Sequence, residues 1–262
     1  MSAPIVVDLS DRIVTLTLNR PDRLNALIPE MTEGFREALR KAAEPNAKAL
    51  VLRGEGRGFC AGGDLAWILS ALEGGRMSEL EALLELGAEV AHGLKTLPKP
   101  VVALVQGPCA GAGTSLALGA DLRLAASDAK FSMAFVKVGL HPDWGGSVLL
   151  HLAAGPSVAA HLMLTAEAVD APQAKELGLA HEVVDPEKLT EAGMALAQRL
   201  AHGPSEAMGR IKASALRNAG HTSASLMALL KAEGEQMKAA IRSADAREGM
   251  KAFVEKRAPK FA

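Results

Sequence analysis

The chain has 262 residues, with 29 Lys plus Arg against 30 Asp plus Glu, a formal net charge of -1 and a pI near 6.7. That balance excludes a phosphate-backbone binder, which gathers a surplus of basic residues on one face. The 49% hydrophobic content excludes disorder, and six Phe, two Trp and no Tyr exclude a stacking platform and leave the core to Ala, Leu, Val and Met.

Two cysteines, Cys60 and Cys109, are too few for a disulfide scaffold, and each sits among Gly and Ala. Met1 to Leu9 shows no basic region followed by an apolar run, and no uninterrupted apolar stretch reaches the length of a membrane span. A reducing, cytoplasmic setting is expected, with neither nucleic acid nor membrane as partner.

In chain order, Ile5 to Val7 and the alternating Ile13 to Leu18 predict two strands joined by a turn at Ser10-Asp11, the second stopped by Asn19-Arg20-Pro21. Met31, Phe35 and Leu39 recur at helical spacing, and Ala49 to Leu52 then reads as a strand. A glycine cluster spans Gly54 to Gly63. Leu80, Leu83, Leu84, Val90 and Leu94 predict a long helix ending before Pro98-Lys99-Pro100. Val101 to Val105 reads as a buried strand, followed by a second cluster from Gly107 to Gly113, a helix starting near Thr114, and a strand over Asp121 to Ala125.

From Pro156 the pattern turns helical, with Ser157 read as a cap, Pro172 and Pro186 near helix starts, Gly178 closing a helix, and only Glu182 to Val184 read as strand. Ala207 to Leu216 and Leu226 to Ile241 are Ala-rich and need another surface, within the chain or on another subunit. A boundary near residue 195 divides residues 1–195 from a helical region, 196–262.

Each glycine cluster follows a strand and precedes a helix. The spacing of the first is Gly-x-Gly-x-Gly rather than that of a dinucleotide loop, and no Gly-Lys-Ser/Thr of a phosphate loop is present. A flexible turn is one reading. The other is an oxyanion hole, in which amide N–H groups freed at small-residue turns aim at an oxygen that gains charge.

The chain resembles the enoyl-CoA hydratase/isomerase (crotonase) superfamily along nearly its whole length. The resemblance is carried by Leu18-Asn19-Arg20-Pro21 with Leu24-Asn25-Ala26, Gly58-Phe59-Cys60-Ala61-Gly62-Gly63-Asp64-Leu65, Pro98-Lys99-Pro100-Val101 through Gly113, Asp121, Phe131 and Gly139-Leu140-His141-Pro142-Asp143. It implies an α/β fold of the ClpP/crotonase type, a spiral of β-β-α units with two roughly perpendicular sheets and a helical trimerisation region. It further implies an acyl-CoA substrate, a homotrimer or dimer of trimers, and no metal or redox cofactor, CoA entering only with the substrate.

By the same resemblance, Gly63 and Ala112 supply the two oxyanion donors. The two glutamates of the family's hydratases are replaced by Ser115 and Phe135, which cannot serve as carboxylate bases. Asp143 is the remaining carboxylate at a position used for chemistry. Read alone, it is a turn residue after Pro142. In its motif it matches the acid/base of the phenylacetate-degradation isomerase branch, which Arg242 to Gly249 and Ala252 to Arg257 also fit.

Arg23, Phe253 and Lys256 match CoA-binding positions, the latter two lent by a neighbouring subunit. Ala61, Asp64 and Leu65 fall on the adenine and pantetheine path, and Phe135 and Trp144 shape the acyl pocket or are ordinary core residues. The expected activity is isomerisation of an enoyl-CoA or a ring-epoxide CoA ester. The alternatives are a hydratase with atypical residues, a hydrolase or dehalogenase drawing on Trp144 and His92, and an idle acyl-CoA-binding protein. His141 is a weaker candidate partner for Asp143, and both cysteines read as small buried residues.

Overall fold

The computed structural model describes residues 3–261. The first hairpin forms as the alternation requires: β1 (Ile5–Ser10) pairs antiparallel with β2 (Ile13–Leu18) around Asp11 and Arg12, both with positive φ (46° and 66°), a two-residue turn whose twist suits the strands. After α1 (Thr32–Ala43), β3 (Ala49–Gly54) joins β2 in parallel. Two helices, α2 (Leu65–Glu73) and α3 (Met77–Thr96), then lead to β4 (Val101–Val105), every residue of which is buried. A strand covered on both faces has no reason to alternate, which is why its sequence is an apolar run.

The main sheet is completed by β6 (Leu122–Ala126) and β9 (Glu182–Val184), in the order β1-β2-β3-β4-β6-β9, parallel from β2 onward. One face carries the principal core, with Phe35, Leu50, Leu52 and Leu94. Ile13, Val51, Val102 and Leu124 on the other face are sealed by α7 (Leu189–Ala201) through Leu189, Ala197 and Ala201. The expected boundary at residue 195 therefore falls inside a helix that packs on the sheet.

The second sheet that the family resemblance implied is present, but its strands were not read from the residue pattern: β5 (Pro108–Ala110), β7 (Lys130–Ser132) and β8 (Ala168–Asp170) are three residues each. Strands this short span barely one period of alternation, so they leave no periodic signal. Between β5 and β6 lies the wholly buried α4 (Ala112–Gly119).

Ser157 is not a cap: α5 (Gly146–Thr165) runs through it, and the break lies at Gly155 (φ 77°, ψ 168°), ahead of Pro156. With a mean hydropathy of 1.5 over its apolar window, α5 passes the length and composition test for a membrane span. The break at Gly155 and its packing on α4 fit a helix of the protein body instead. The capped α6 (Ala171–Glu176) has Pro172 in its first turn and ends before Gly178 (φ 77°), as expected.

Of the two Ala-rich stretches, α9 (Ser223–Ala240) finds its surface within the chain, burying Leu226, Leu230 and Met237 against α3. By contrast α8 (Ser205–Asn218) buries only Gly209 and leaves Ile211 67% exposed. The last helix, α10 (Ala244–Val254), closes on α2 and on the 3-10 turn Ala134–Val138.

Candidate active site

The two glycine clusters are one construction. Cys60 and Cys109 bridge as in a parallel sheet, with the Cys60 amide donating to the Pro108 carbonyl at 3.2 Å and the Ala110 amide to the Cys60 carbonyl at 2.9 Å. Gly113 lies so close that a Cβ there would sit 2.1 Å from the Cys60 carbonyl oxygen, so only glycine fits.

Gly63 and Ala112 are each preceded by a glycine with positive φ, Gly62 at 92° and Gly111 at 52°. This conformation, which L side chains rarely adopt, turns the following peptide out of its strand or helix. Among the described residues, neither amide has a protein acceptor. Ala112 is also the first residue of α4, so its N–H carries the positive end of the helix dipole.

Asn25 holds the first cluster from behind. It is fully buried with φ 57°, and its Nδ2 donates to the carbonyls of Glu55 (2.9 Å), Gly58 (2.9 Å) and Phe59 (3.2 Å) while its Oδ1 accepts from the Arg20 amide at 2.8 Å. Asn25→Ala leaves these groups unsatisfied and puts Ala in a left-handed conformation. It is expected to lower unfolding free energy by about 3 kcal/mol in a denaturant titration.

Asp143 reaches the same place from the other side. Trp144 (φ 55°) and Gly145 (φ 81°) turn the chain into α5, a strained conformation for so bulky a residue. It is held by packing: the Trp144 ring meets Phe35 edge-on at 5.2 Å and lies against Gly87, where a Cβ would come within 2.5 Å of the indole. Gly63, Ala112, Asp143 and Trp144 line one enclosed cavity, with Leu27, Ile68, Leu84, Met237 and Ile241 among its apolar walls. Its volume of about 20 Å³ holds roughly one water, so an acyl group enters only as flexible walls such as Met237 move. A larger cleft of about 410 Å³ runs along α8, but its lining does not include Gly63, Ala112 or Asp143.

Asp143 is 8% exposed, and its Oδ1 is buried without a hydrogen-bond partner among the described residues. Burial, and then the nearby charge of Glu233, push its carboxyl well above the usual carboxylate range. His141 does not relieve it, because His141 Nδ1 donates to the Pro142 carbonyl at 2.7 Å.

The remaining candidates divide. Asp64 caps α2, accepting the Trp67 amide at 3.3 Å, and pairs with Arg20 at 3.0 Å, so its carboxylate is engaged structurally beside Ala61 and Leu65. Asp121 likewise ties β4 to α8, accepting from the Val101 amide (2.9 Å) and Lys212 Nζ (2.6 Å). Phe135 is buried, its ring about 4 Å from where a Cβ on Gly111 would stand, so it packs against the second donor turn and is not among the residues that line the cavity. Ser115 Oγ donates to the Gly111 carbonyl at 3.3 Å. His92 bonds Ser223 at 2.9 Å, and the cavity lining does not include it. Burial pushes the Cys60 thiol up to about 12 and the Cys109 thiol higher still, so neither is a ready nucleophile. Arg23 is exposed, as are Lys256 and Phe253, the latter by 63%, all away from the cavity of this chain.

A mostly parallel sheet flanked by a small second sheet, with helices closing over both and two bridged glycine-rich turns, defines a crotonase-fold protein. The family model for enoyl-CoA hydratase/isomerase matches residues 8–262. The chain belongs to that family, whose members bind acyl-CoA thioesters. It is 41% identical over 257 residues to the 1,2-epoxyphenylacetyl-CoA isomerase of Escherichia coli (strain K12), covering 95% of this chain and 94% of that one. It is 34% identical to the trans-2-decenoyl-[acyl-carrier-protein] isomerase of Streptococcus mutans, covering 98% and 97%. Among solved structures, an enoyl-CoA hydratase from Mycobacterium avium subsp. paratuberculosis K-10 superposes with a TM-score of 0.87 at 33% identity over 100% of both chains.

Proposed function

We propose that this chain is an isomerase of acyl-CoA thioesters, moving a double bond in an enoyl-CoA or rearranging a ring-epoxide CoA ester, with Asp143 as the acid/base. One observation carries the reading: a single carboxyl without a partner for its Oδ1 shares an enclosed cavity with two free backbone donors, and among the described residues no second carboxylate lines that cavity. Hydration asks one group to activate water and another to deliver a proton, whereas isomerisation asks one group to do both transfers in turn.

For the enoyl case, the Asp143 carboxylate takes the proton from the carbon next to the thioester carbonyl. The electron pair moves onto the carbonyl oxygen, giving a dienolate held by the Gly63 and Ala112 amides. Asp143 then returns the proton at the γ-carbon, and the carbonyl re-forms with the double bond in conjugation. A raised carboxyl pKa serves both halves, since the ionised form is a stronger base and the neutral form lies nearer the operating pH. An idle binding protein would have no use for so costly a buried carboxyl. In this reading Arg23 meets the CoA phosphates, and Phe253 and Lys256 complete the site of a neighbouring subunit in a homotrimer.

The test is a pair of assays on the purified protein, one following conjugation of a β,γ-enoyl-CoA and the other loss of conjugation from an α,β-enoyl-CoA in water. Isomerisation is expected to exceed hydration by at least ~100-fold, the scale of one positioned acid/base group. Hydration without isomerisation would overturn the proposal.

A further inference from the structure

Glu233 is an ionisable residue buried in the middle of α9, only 5% exposed, and it does not line the cavity. Its Oε1 accepts from both the amide and the hydroxyl of Ser147, each at 2.8 Å, and the Gly145 amide adds to the same carboxylate. These donors belong to the entry of α5, whose unpaired N–H groups and dipole favour an anion. They begin two residues after Asp143, whose own carbonyl accepts the Gly146 amide at 2.8 Å. The carboxylate thus fastens the segment bearing Asp143 to a helix almost ninety positions away.

We propose that Glu233 is a positioning residue of this site: it pins the Asp143 segment through the start of α5, and its charge acts on the Asp143 carboxyl. The proposal rests on Asp143 being the acid/base of the function proposed above.

The other charged groups around the pair are turned away or engaged elsewhere. On α3, Glu85 approaches Lys238 (3.9 Å), Glu81 pairs with Arg242 (2.7 Å), Glu89 pairs with Arg36 (2.9 Å), and His92 bonds Ser223. On α9, Lys231 and Glu235 are exposed, on α5 His151 is exposed, and His141 donates to a backbone carbonyl. Among the described residues, the Glu233 carboxylate is the charge that raises the Asp143 carboxyl beside the larger effect of burial. Burial holds Glu233 itself up to about 7 despite its three donors. Two such groups titrate as a pair.

The experiment is carried out on the unliganded protein and on turnover. In wild type, an isotope-edited infrared titration of the Asp143 carboxyl, identified by subtraction of D143N, is expected to be broader than a single-site curve. A single-site curve would overturn the proposal without any variant having to fold. In Glu233→Gln, whose amide oxygen still accepts from Ser147, the midpoint is expected to fall by about one pH unit, a tenfold change in the proton equilibrium. The acidic limb of kcat/KM should move the same way, with KM little changed, whereas Glu233→Ala should also lose kcat. An unmoved midpoint in Glu233→Gln, or a loss of kcat equal to that of Glu233→Ala with no movement of the limb, marks Glu233 as packing only. If no substrate turns over, the infrared titration still decides the role of Glu233.

Discussion

Asp143→Asn is expected to lower isomerisation kcat by about 10²–10⁴ while leaving the protein as stable as wild type or more so at neutral pH. The loss follows from the chemistry: an amide cannot take a proton from carbon, and no other carboxylate reaches the cavity. The stability follows from linkage. Folded Asp143 holds its proton more tightly than the unfolded chain does, because burial and Glu233 raise its carboxyl. Its stabilising contribution is therefore present below the ordinary carboxylate range and is lost as pH rises through the elevated folded value. Asn has no such loss. Glu233, raised to about 7, adds a decline of the same sign between its ordinary value and pH 7. Thermal melts from pH 4 to 8 beside turnover assays separate the two effects. A variant that melts well below wild type at neutral pH, or that keeps its isomerase activity, would remove Asp143 from the role given to it.

Ala112→Pro is the second large effect. Proline at the first residue of a helix is tolerated because that N–H has no intrahelical partner, so α4 is expected to form with little change in melting temperature. The substitution deletes one of the two donors aimed at the substrate oxygen, and kcat is expected to fall by about 10²–10³, the ~3 kcal/mol that one such donor supplies. Ala112→Gly keeps the amide and is expected to keep most of the activity, which separates loss of the donor from a change in cavity shape. A folded Ala112→Pro enzyme within a few-fold of wild type would mean that the anion is held elsewhere.

Much of this site was legible along the chain. The two glycine clusters announced themselves because a turn that frees an amide must be built from small residues, and Asp143 stood out through the family resemblance, which puts Ser115 and Phe135 where the hydratases carry glutamates. Asn25 was visible only as a letter in a motif. Three of its four hydrogen bonds reach forward thirty residues or more to carbonyls, and no local pattern reports that. Phe135 shows the converse: the sequence left it as a pocket wall or an ordinary core residue, and the structure buries it against the second turn, outside the lining of the small cavity. Glu233 was invisible, because one glutamate in an Ala-rich helix with Lys231, Glu235 and Lys238 around it reads as part of a solvated face.

The amino-acid sequence alone determined the principal strands, the long helices and the two glycine-rich turns, because period, proline, glycine and residue chemistry act within a few positions of themselves; the roles expected of Gly63, Ala112 and Asp143 came only with the family resemblance. The tertiary structure decided what is close to what. The bridge between Cys60 and Cys109, the three-residue strands of the second sheet, the strained Trp144 resting on Gly87, and the reach of Glu233 to Ser147 all depend on contacts between segments far apart in the chain. Without them Gly63, Ala112 and Asp143 are three separate features; packed together in one nearly closed cavity, they are placed to serve the proposed function on the same substrate atoms.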